Sequence, residues 1–303
     1  MCGIAGIIYR DGSEHAIGDE MTRMLQAMKH RGPDSTGYAL YGSPENGNLV
    51  MRYKLADANT PRDFDYEDRL RRHRVEVEAR LAALGARNQE SEEETPYAFR
   101  VSFEYDGDLK LLADFVEDIP EAEVLSLGRS LEIVKDLGDA ESVHEQYGLA
   151  NFNGTHAIGH VRMATESEVD IAGAHPYWAY PYSDVAVVHN GQLTNYFMWR
   201  RRLERAGRRF MSECDSEIIA VYLAEEMTKG ASLEELDGVF TYIAVTDDAL
   251  GVAKDEMAAK PLVLYESDDV VALASEEIAI RAVLDREIDT HDPYEGEVLV
   301  WQR

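Results

Sequence analysis

Hydrophobic positions near the start of the chain change from strand spacing to helical spacing. The run CGIAGIIYR at 2–10 is apolar and has the length of a strand. The Gly-Pro pair at 32–33 ends the segment that follows. Between them we predict a helix whose apolar face packs in the core and does not bind a metal; this face comprises Met21, Met24, Leu25 and Met28.

Residues 49–150 have the least regular pattern. The polar stretch ARNQESEEETP at 86–96 predicts an exposed loop, and the alternating YAFRVSFEYDG at 97–107 predicts a strand. The short runs EVLSLG and LEIVKDLG are candidates for further strands. Before the polar stretch, an amphipathic helix is predicted to end at Gly85. Its apolar face comprises Leu70, Val77, Leu81 and Leu84.

From residue 155 onward, strand-like runs alternate with turn signals, and helical segments lie at about 194–206 and 215–228. This order predicts layered sheets with helices outside them rather than a regular βαβ alternation. No internal repeat and no clear linker divides the chain. The predicted strands are THAIGHVRMATES, DVAVVHNGQ, VFTYIAVTDD, GVAKDE, PLVLYES, VVALAS and EVLVWQR.

The charge balance excludes two classes of partner. Thirty Lys and Arg residues stand against 58 Asp and Glu, a net charge of −28, which repels nucleic acid and anionic membrane surfaces. The acidic surface fits a general solubility role or a salty cytosol. Six arginines between 199 and 209 form either a solvated, ion-paired face or a docking surface for an acidic partner.

The cellular location follows from what the sequence lacks. No run approaches the roughly 18 apolar residues of a membrane helix, and the first residues do not have a signal-peptide pattern. Two cysteines, Cys2 and Cys214, are expected to be reduced thiols. We therefore expect a cytoplasmic protein. The nine histidines show no metal-ligand spacing, so no metal site is predicted, and Cys214 is expected to be a small buried residue.

Cys2 is placed where it could act as a nucleophile. If Met1 is removed, a thiol and a free α-amine lie on the same residue, and the amine titrates near ~7.7–8.0. It can then accept the thiol proton as a general base. A second-position cysteine without any function is the alternative.

Three more positions have both a structural and a chemical interpretation. Asn190 and Gly191 suit either a turn after a strand or an oxyanion hole built from an amide and a backbone N–H. Arg162, at the end of an apolar run, needs an anion, either a structural carboxylate or a substrate carboxylate. Asp215 is either a helix N-cap or a ligand for a substrate ammonium group.

Five motifs occur in an order that resembles the class II glutamine amidotransferases, which are N-terminal-nucleophile hydrolases. They are MCGIAGI, RGPDSTG, HVRMATES, HNGQLTNY and ECDSE. The resemblance covers essentially the whole chain and implies an αββα fold, two antiparallel sheets face to face with helices on both sides. It therefore implies a single amidotransferase domain at 2–303, with an insertion-like region at about 57–125.

The resemblance also implies a role for each matching residue. Cys2 would be the nucleophile, Asn190 and Gly191 the oxyanion hole, and Arg31 a supporting residue beside the nucleophile. For the substrate glutamine, Arg162 with Thr165 nearby would bind the α-carboxylate, and Asp215 the α-ammonium. Met163 stands where several relatives have tryptophan, so the local contacts to the substrate are expected to differ.

The phrases GHVRMATES, HNGQLTNY and AAKPLV look like the stand-alone subunits of glutamate-synthase and N-methylglutamate-synthase assemblies. The implied partners are separate flavin- and iron–sulfur-bearing synthase chains that accept ammonia. No cofactor is expected in this chain, because two cysteines are too few for a cluster. Two other functions stay open, an amidase acting on another substrate and a non-catalytic subunit that binds glutamine and regulates a partner.

Overall fold

A computed structural model describes residues 2–43, 47–57, 59–163, 171–229 and 238–303. The strands are β1 (Gly3–Tyr9), β2 (Ser35–Tyr41), β3 (Leu49–Lys54), β4 (Arg87–Glu93), β5 (Ala98–Glu104), β6 (Glu123–Gly128), β7 (Leu131–Leu137), β8 (His156–Arg162), β9 (Tyr177–Trp178), β10 (Ala186–Leu193), β11 (Gly238–Val245), β12 (Ala249–Lys254), β13 (Val263–Glu266), β14 (Val270–Ala274) and β15 (Val298–Gln302). The helices are α1 (Ile17–Ala27), α2 (Tyr66–Ala83), α3 (Leu109–Glu117), α4 (Ala140–Tyr147), α5 (Tyr196–Arg205), α6 (Asp215–Lys229) and α7 (Glu277–Arg281).

Two antiparallel sheets pack face to face and form the centre of the fold. One has the strand order β13-β14-β1-β8-β2-β7 and the other β15-β12-β11-β10-β9. Along β1, Ile4 and Ile8 join the core between the sheets, whereas Ala5 and Ile7 pack with Met21 of α1 on the outer face. Helices α1, α4 and α7 cover the first sheet and α6 covers the second. The predicted αββα fold is confirmed.

A third sheet, with the order β4-β5-β3-β6, is formed from residues 49–128 together with α2 and α3. Its apolar side chains belong to the same hydrophobic cluster as those between the two central sheets. The predicted helix before Gly85 is confirmed; Leu70, Val77 and Leu81 are buried on α2, and Gly85 has φ +96° just beyond its end. Whether 57–125 is an insertion relative to shorter family members stays a prediction.

One prediction in this region was wrong. The polar stretch expected to be a loop at 86–96 contains β4, which pairs antiparallel with β5. Its side chains are mostly exposed, so the strand lacks the apolar alternation by which strands are recognised in a sequence. It is an edge strand, and charged side chains protect such an edge from pairing with other chains.

Buried ion pairs connect the third sheet to the first central sheet. Glu132 of β7 accepts hydrogen bonds from Arg52 Nε of β3 at 2.7 Å and from Arg100 Nε of β5 at 2.9 Å. Burial raises the pKa of Glu132, but the two guanidinium groups outweigh it and hold the pKa below its usual range. Glu123 of β6 pairs with Lys135 of β7 at 3.6 Å and, within the third sheet, with Lys54 of β3 at 3.0 Å. These pairs fix how the third sheet is seated.

The helices in the described part of the chain are too short or too polar to span a lipid bilayer.

Candidate active site

Cys2 is held by the strand that follows it. It directly precedes β1, which lies between β8 and β14, with Gly3 opposite Val161. The Ile4 backbone N–H donates to Ser275 Oγ at 3.0 Å, and the Ser275 N–H donates to the Ile4 carbonyl at 2.9 Å. Cys2 is half-buried and its thiol is free. The apolar strand and Ser275 therefore fix the position of the Cys2 backbone.

The backbone carbonyl of Cys2 accepts two side-chain hydrogen bonds. Arg31 Nε donates at 3.0 Å and Asn190 Nδ2 at 3.2 Å. Arg31 lies in a short turn of helix after α1 and is buried, with Nη1 donating to Glu276 Oε1 at 2.6 Å. Two predicted site residues thus contact the predicted nucleophile through the same oxygen.

Asn190 and Gly191 lie inside a strand. The turn considered for HNG does not occur, because β10 continues to Leu193 and pairs with β11, with Asn190 opposite Thr241. Asn190 is buried, and its side chain lies next to Cys2. Gly191 has φ +155°, a positive value that other residues rarely adopt.

Arg162 is the last residue of β8 and is only 9% exposed. The RGPD turn packs directly against its backbone, and the Asp34 N–H donates to the Arg162 carbonyl at 3.1 Å. A Cβ atom at Gly32 would lie 2.4 Å from the Arg162 carbonyl carbon, so only glycine permits this approach. The motifs RGPD and HVR are therefore neighbours in space.

Asp215 begins α6 and joins it to β10. One carboxylate oxygen, Oδ2, accepts a hydrogen bond from the Leu193 N–H at 2.6 Å. The other, Oδ1, lies 3.3 Å from Ser216 Oγ and 3.8 Å from His189 Nδ1. The side chain keeps 18% of its surface exposed, which leaves the carboxylate accessible from the cavity described next.

A single cavity of about 870 Å³ brings these residues together. We call it the Cys2 cavity. Thr165 falls outside the described residues. Arg31 does not line the cavity but contacts the Cys2 carbonyl. The predicted site residues that line the cavity are Cys2, Arg162, Asn190, Gly191 and Asp215.

Three of the histidines, which show no metal-ligand spacing in the sequence, also line the Cys2 cavity. His160 stacks on His175 with ring centroids 4.1 Å apart, and His175 lies 6.4 Å from His189. Burial lowers the pKa of each ring, to about 3 for His160. They are therefore neutral at neutral pH. No sequence signal joins them, because His175 comes from a loop between β8 and β9.

The hydrogen bonds determine which nitrogen carries the proton in two of these rings. His175 Nδ1 accepts from the His189 backbone N–H at 3.2 Å, so its proton is on Nε2. Ser216 Oγ lies 3.3 Å from Asp215 Oδ1 and donates to it. Ser216 Oγ in turn accepts a hydrogen bond from His189 Nδ1–H at 2.8 Å. The proton of this ring is therefore on Nδ1, and Nε2 carries a lone pair.

Cys214 is less buried than the sequence predicts. It is half-buried and packs against the hydrophobic cluster beneath α6, but it also lines the Cys2 cavity, with Sγ 3.8 Å from His175 Nε2. Burial raises the pKa of its thiol, which disfavours the reactive thiolate. Lys260, from the AAKPLV motif, also lines the cavity and was not predicted as a site residue.

The described residues contain no group of three or more His, Cys, Asp or Glu side chains arranged to hold a metal ion.

Comparisons with known proteins agree with the motifs. A family model described as a glutamine amidotransferase domain matches residues 160–282. A putative glutamine amidotransferase of Methanothermobacter thermautotrophicus is 39% identical over 100% of both chains. The glutamine amidotransferase-like protein GlxB of Rhizobium meliloti is 34% identical over 91% of this chain and 89% of its own.

More distant relatives share part of their length with this chain. A chloroplastic amidophosphoribosyltransferase of Glycine max is 35% identical over 56% of this chain, which spans 31% of that protein. The solved structure of the B. subtilis glutamine phosphoribosylpyrophosphate amidotransferase with ADP and GMP superposes with a TM-score of 0.60 at 19% identity. It covers 99% of this chain and 47% of its own, which establishes the shared fold. On its motifs, fold and full-length relatives, this chain belongs to the class II glutamine amidotransferase family.

Proposed function

We propose that this protein hydrolyses glutamine to glutamate and ammonia, with Cys2 as the nucleophile. The observation that carries the proposal is the Cys2 cavity, which is lined by a thiol, an amide, a guanidinium and a carboxylate from four distant parts of the chain. The matching relatives, whose names describe glutamine amidotransferases, support the same reaction.

The proposed reaction begins when Met1 is removed. The α-amine of Cys2 takes the thiol proton, and sulfur attacks the side-chain amide carbon of glutamine. Negative charge develops on the amide oxygen and is stabilised by the Asn190 amide and the Gly191 N–H. The C–N bond then breaks, the α-ammonium returns its proton to the leaving nitrogen, and ammonia departs. Water hydrolyses the thioester, which releases glutamate and restores the thiol.

The substrate would be held by its two charges. Arg162 would bind the α-carboxylate through its planar fork, with Thr165 contributing as the resemblance implies, and Asp215 would bind the α-ammonium. A glutamine residue inside a peptide has neither charge, so the site would reject it. N-acetylglutamine and glutaminamide each lack one charge and should react about 10- to 100-fold more slowly, since a charged hydrogen bond contributes ~1.5–3 kcal/mol.

The test is glutamate and ammonia release by the purified chain, with intact mass showing whether Met1 has been removed. Cys2→Ala should abolish release, whereas Cys214→Ala, which removes the other thiol of the cavity, should retain at least a tenth of the activity. Glutamine hydrolysis by Cys2→Ala would rule out the nucleophile. If Met1 is retained and glutamine binds without reacting, the non-catalytic regulatory subunit becomes the better assignment. If N-acetylglutamine reacts as fast as glutamine, an amidase that acts on another substrate becomes the better assignment.

We further propose that the ammonia passes to a separate synthase chain of the glutamate-synthase type in the cytoplasm. The free thiols Cys2 and Cys214 fit a reducing compartment. Purification from the native host should recover a flavin- and iron–sulfur-bearing chain with this one, and the pair should consume glutamine faster than this chain alone. A stable isolated subunit with full activity and no such partner would contradict this.

A further inference from the structure

Glu276 is an acidic residue beside the Cys2 cavity to which sequence reasoning gave no role. It lies between β14 and α7, two residues after the strand and directly before the helix. Its Oε1 atom accepts from Arg31 Nη1 at 2.6 Å and from His30 Nε2 at 3.1 Å. Its side chain is 31% exposed, while that of Arg31 is only 8% exposed. The pair therefore connects the surface to the backbone of the nucleophile.

Arg31 transmits this contact to Cys2. Its Nε donates to the Cys2 carbonyl, while its Nη1 donates to Glu276, so one rigid guanidinium plane connects the two. The third nitrogen, Nη2, is buried without a hydrogen-bond partner in the described part of the chain. A carboxylate is thus needed both to balance the buried charge and to orient the plane.

The Cys2 carbonyl is also the acceptor for Asn190. Its oxygen has two lone pairs, and Arg31 Nε and Asn190 Nδ2 occupy both. An amide group has two N–H donors, so the hydrogen bond to Cys2 orients the Asn190 amide and leaves its second N–H available for an oxyanion. Whatever fixes the Cys2 carbonyl therefore fixes the nucleophile and the oxyanion donor together.

We propose that Glu276 is a positioning residue for this reaction, acting through Arg31 on the Cys2 carbonyl. This inference rests on the proposed function and extends it to a residue that the family motifs above do not include. Because Arg162 and Asp215 lie elsewhere in the cavity, Glu276 affects the reacting groups and not the grip on the substrate. Loss of its charge lowers kcat and leaves KM nearly unchanged.

The charge of Glu276 has a second consequence. The titratable and charged groups that contact its carboxylate among the described residues are His30 and Arg31. Burial raises the pKa of Glu276, but hydrogen bonds from Arg31 and His30 outweigh it and hold the pKa below its usual range, so the group is ionised at neutral pH. Neutralising it leaves the positive charge of Arg31 uncompensated near the α-amine. A nearby cation disfavours the protonated amine, so the acid limb of the pH–rate profile moves to lower pH.

The experiment compares Glu276→Gln with Glu277→Gln, the adjacent residue, which bonds Arg281 and Thr290 instead. We expect kcat for glutamine to fall about 10-fold in Glu276→Gln, since small misplacements of reacting groups cost up to ~10²-fold. KM should change less than twofold, and the acid limb of the pH–rate profile should move to lower pH. Glu277→Gln should match the wild type. Equal kcat, KM and pH profiles in the two variants would overturn the proposal.

A second variant and a second measurement separate this proposal from the proposed function. Glu276→Asp keeps the charge and should restore the wild-type pH profile; a profile like that of the Gln variant would overturn the role.

The rate of Cys2 alkylation by iodoacetamide, mapped by peptide mass with Cys214 as internal reference, needs no glutamine. It should change in Glu276→Gln even if the wild type hydrolyses no glutamine, in which case only the proposed function fails. An unchanged alkylation rate would overturn the positioning role.

Discussion

Buried charges are paired where the third sheet meets the first central sheet, whereas the Cys2 cavity contains buried polar atoms without a partner among the described residues. Where the third sheet meets the first central sheet, Glu132 is bonded by two arginines that enclose it. In the cavity, Nε2 of His160 and Nε2 of His189 are buried without a hydrogen-bond partner in the described part of the chain. Pairing buried polar groups stabilises a fold, whereas a binding site leaves polar groups open. The junction between the sheets is therefore expected to contribute stability, and the cavity is expected to contribute chemistry.

The same contrast applies to charge. At the third sheet Glu123 and Glu132 are ionised, because each faces two cations. Burial raises the pKa of Glu123, but Lys54 and Lys135 outweigh it and lower the pKa, as Arg52 and Arg100 do for Glu132. In the cavity the three histidines are neutral, because burial lowers their pKa and the charges facing them include Arg162. A substitution in the first region should therefore change folding, and one in the second should change catalysis.

The largest effect is expected from Glu132→Ala. Removing this carboxylate takes away the partner that the buried Arg52 and the half-buried Arg100 share, and breaking a buried ion pair typically costs ~3–5 kcal/mol of unfolding free energy. Chemical denaturation measures the loss, with Glu92→Ala, an exposed carboxylate on β4, as the control. The folded fraction should hydrolyse glutamine with an unchanged KM. A loss below about 1 kcal/mol, the range of a surface pair, would remove the distinction between the two regions.

Asn190→Ala should show the opposite behaviour. Loss of an oxyanion donor typically lowers kcat by ~10²–10³-fold, equivalent to ~2.7–4 kcal/mol of transition-state stabilisation. The unfolding free energy should fall by only about 1 kcal/mol, for one lost hydrogen bond to Cys2. Steady-state kinetics and denaturation on the same samples test this, with Asn153→Ala as an exposed amide control. Near-normal kcat would end the assignment of Asn190.

The sequence predicts the individual residues of the candidate site better than it predicts the cavity that they form. Ordered motifs with short fixed spacings predict Cys2, Arg162, Asn190 and Asp215 as site residues, and all four line the Cys2 cavity. Their chemical roles stay predictions. The cavity that gathers them depends on sheet pairing between β1 and β8 and on packing of the two sheets, which no local pattern records.

The missed features share one cause. The strand β4 lacks an apolar face, because it is an exposed edge strand. The role proposed for Glu276 depends on Arg31, 245 positions away, and the stack of His160 on His175 forms only once a loop folds back onto β8. Helices and central strands could be predicted because burial imposes a period on them; long-range polar contacts impose none.

Lowering the pH should reduce the free energy of unfolding through Glu132, by less than the Glu132→Ala substitution does. The pKa of Glu132 is lowered in the folded state, below the ~4.3 of an unfolded glutamate, so its contribution is present above that pH and lost as pH falls through the folded pKa. Burial raises the pKa of Glu94 and of Glu217, which contribute with the opposite sign.

The measurement is the free energy of unfolding of wild type and Glu132→Gln at pH 7, 5 and 4 and below. Glutamine resembles the protonated carboxyl, so the gap between the two proteins should narrow below about pH 4.3, by about 1.4 kcal/mol for each unit of pKa shift. A gap that stays constant down to unfolding would mean that Glu132 is not ionised at neutral pH. The buried titratable group at the third sheet would then be neutral, as the histidines of the cavity are, and the contrast in charge between the two regions would disappear.

Salt gives the smallest effect and separates buried from surface charge. With a net charge of −28, surface repulsion destabilises the fold, and 1 M salt shortens the screening length to about 3 Å. Both wild type and Glu132→Gln should therefore gain up to about 1 kcal/mol between 0.05 and 1 M KCl. The gap between them should stay constant, since the side chains of Arg52 and Glu132 are only 6% and 10% exposed and ions cannot enter between them. A stability indifferent to salt would contradict the salty-cytosol hypothesis, whereas a gap that shrinks with salt would show that the pair behaves as surface charge.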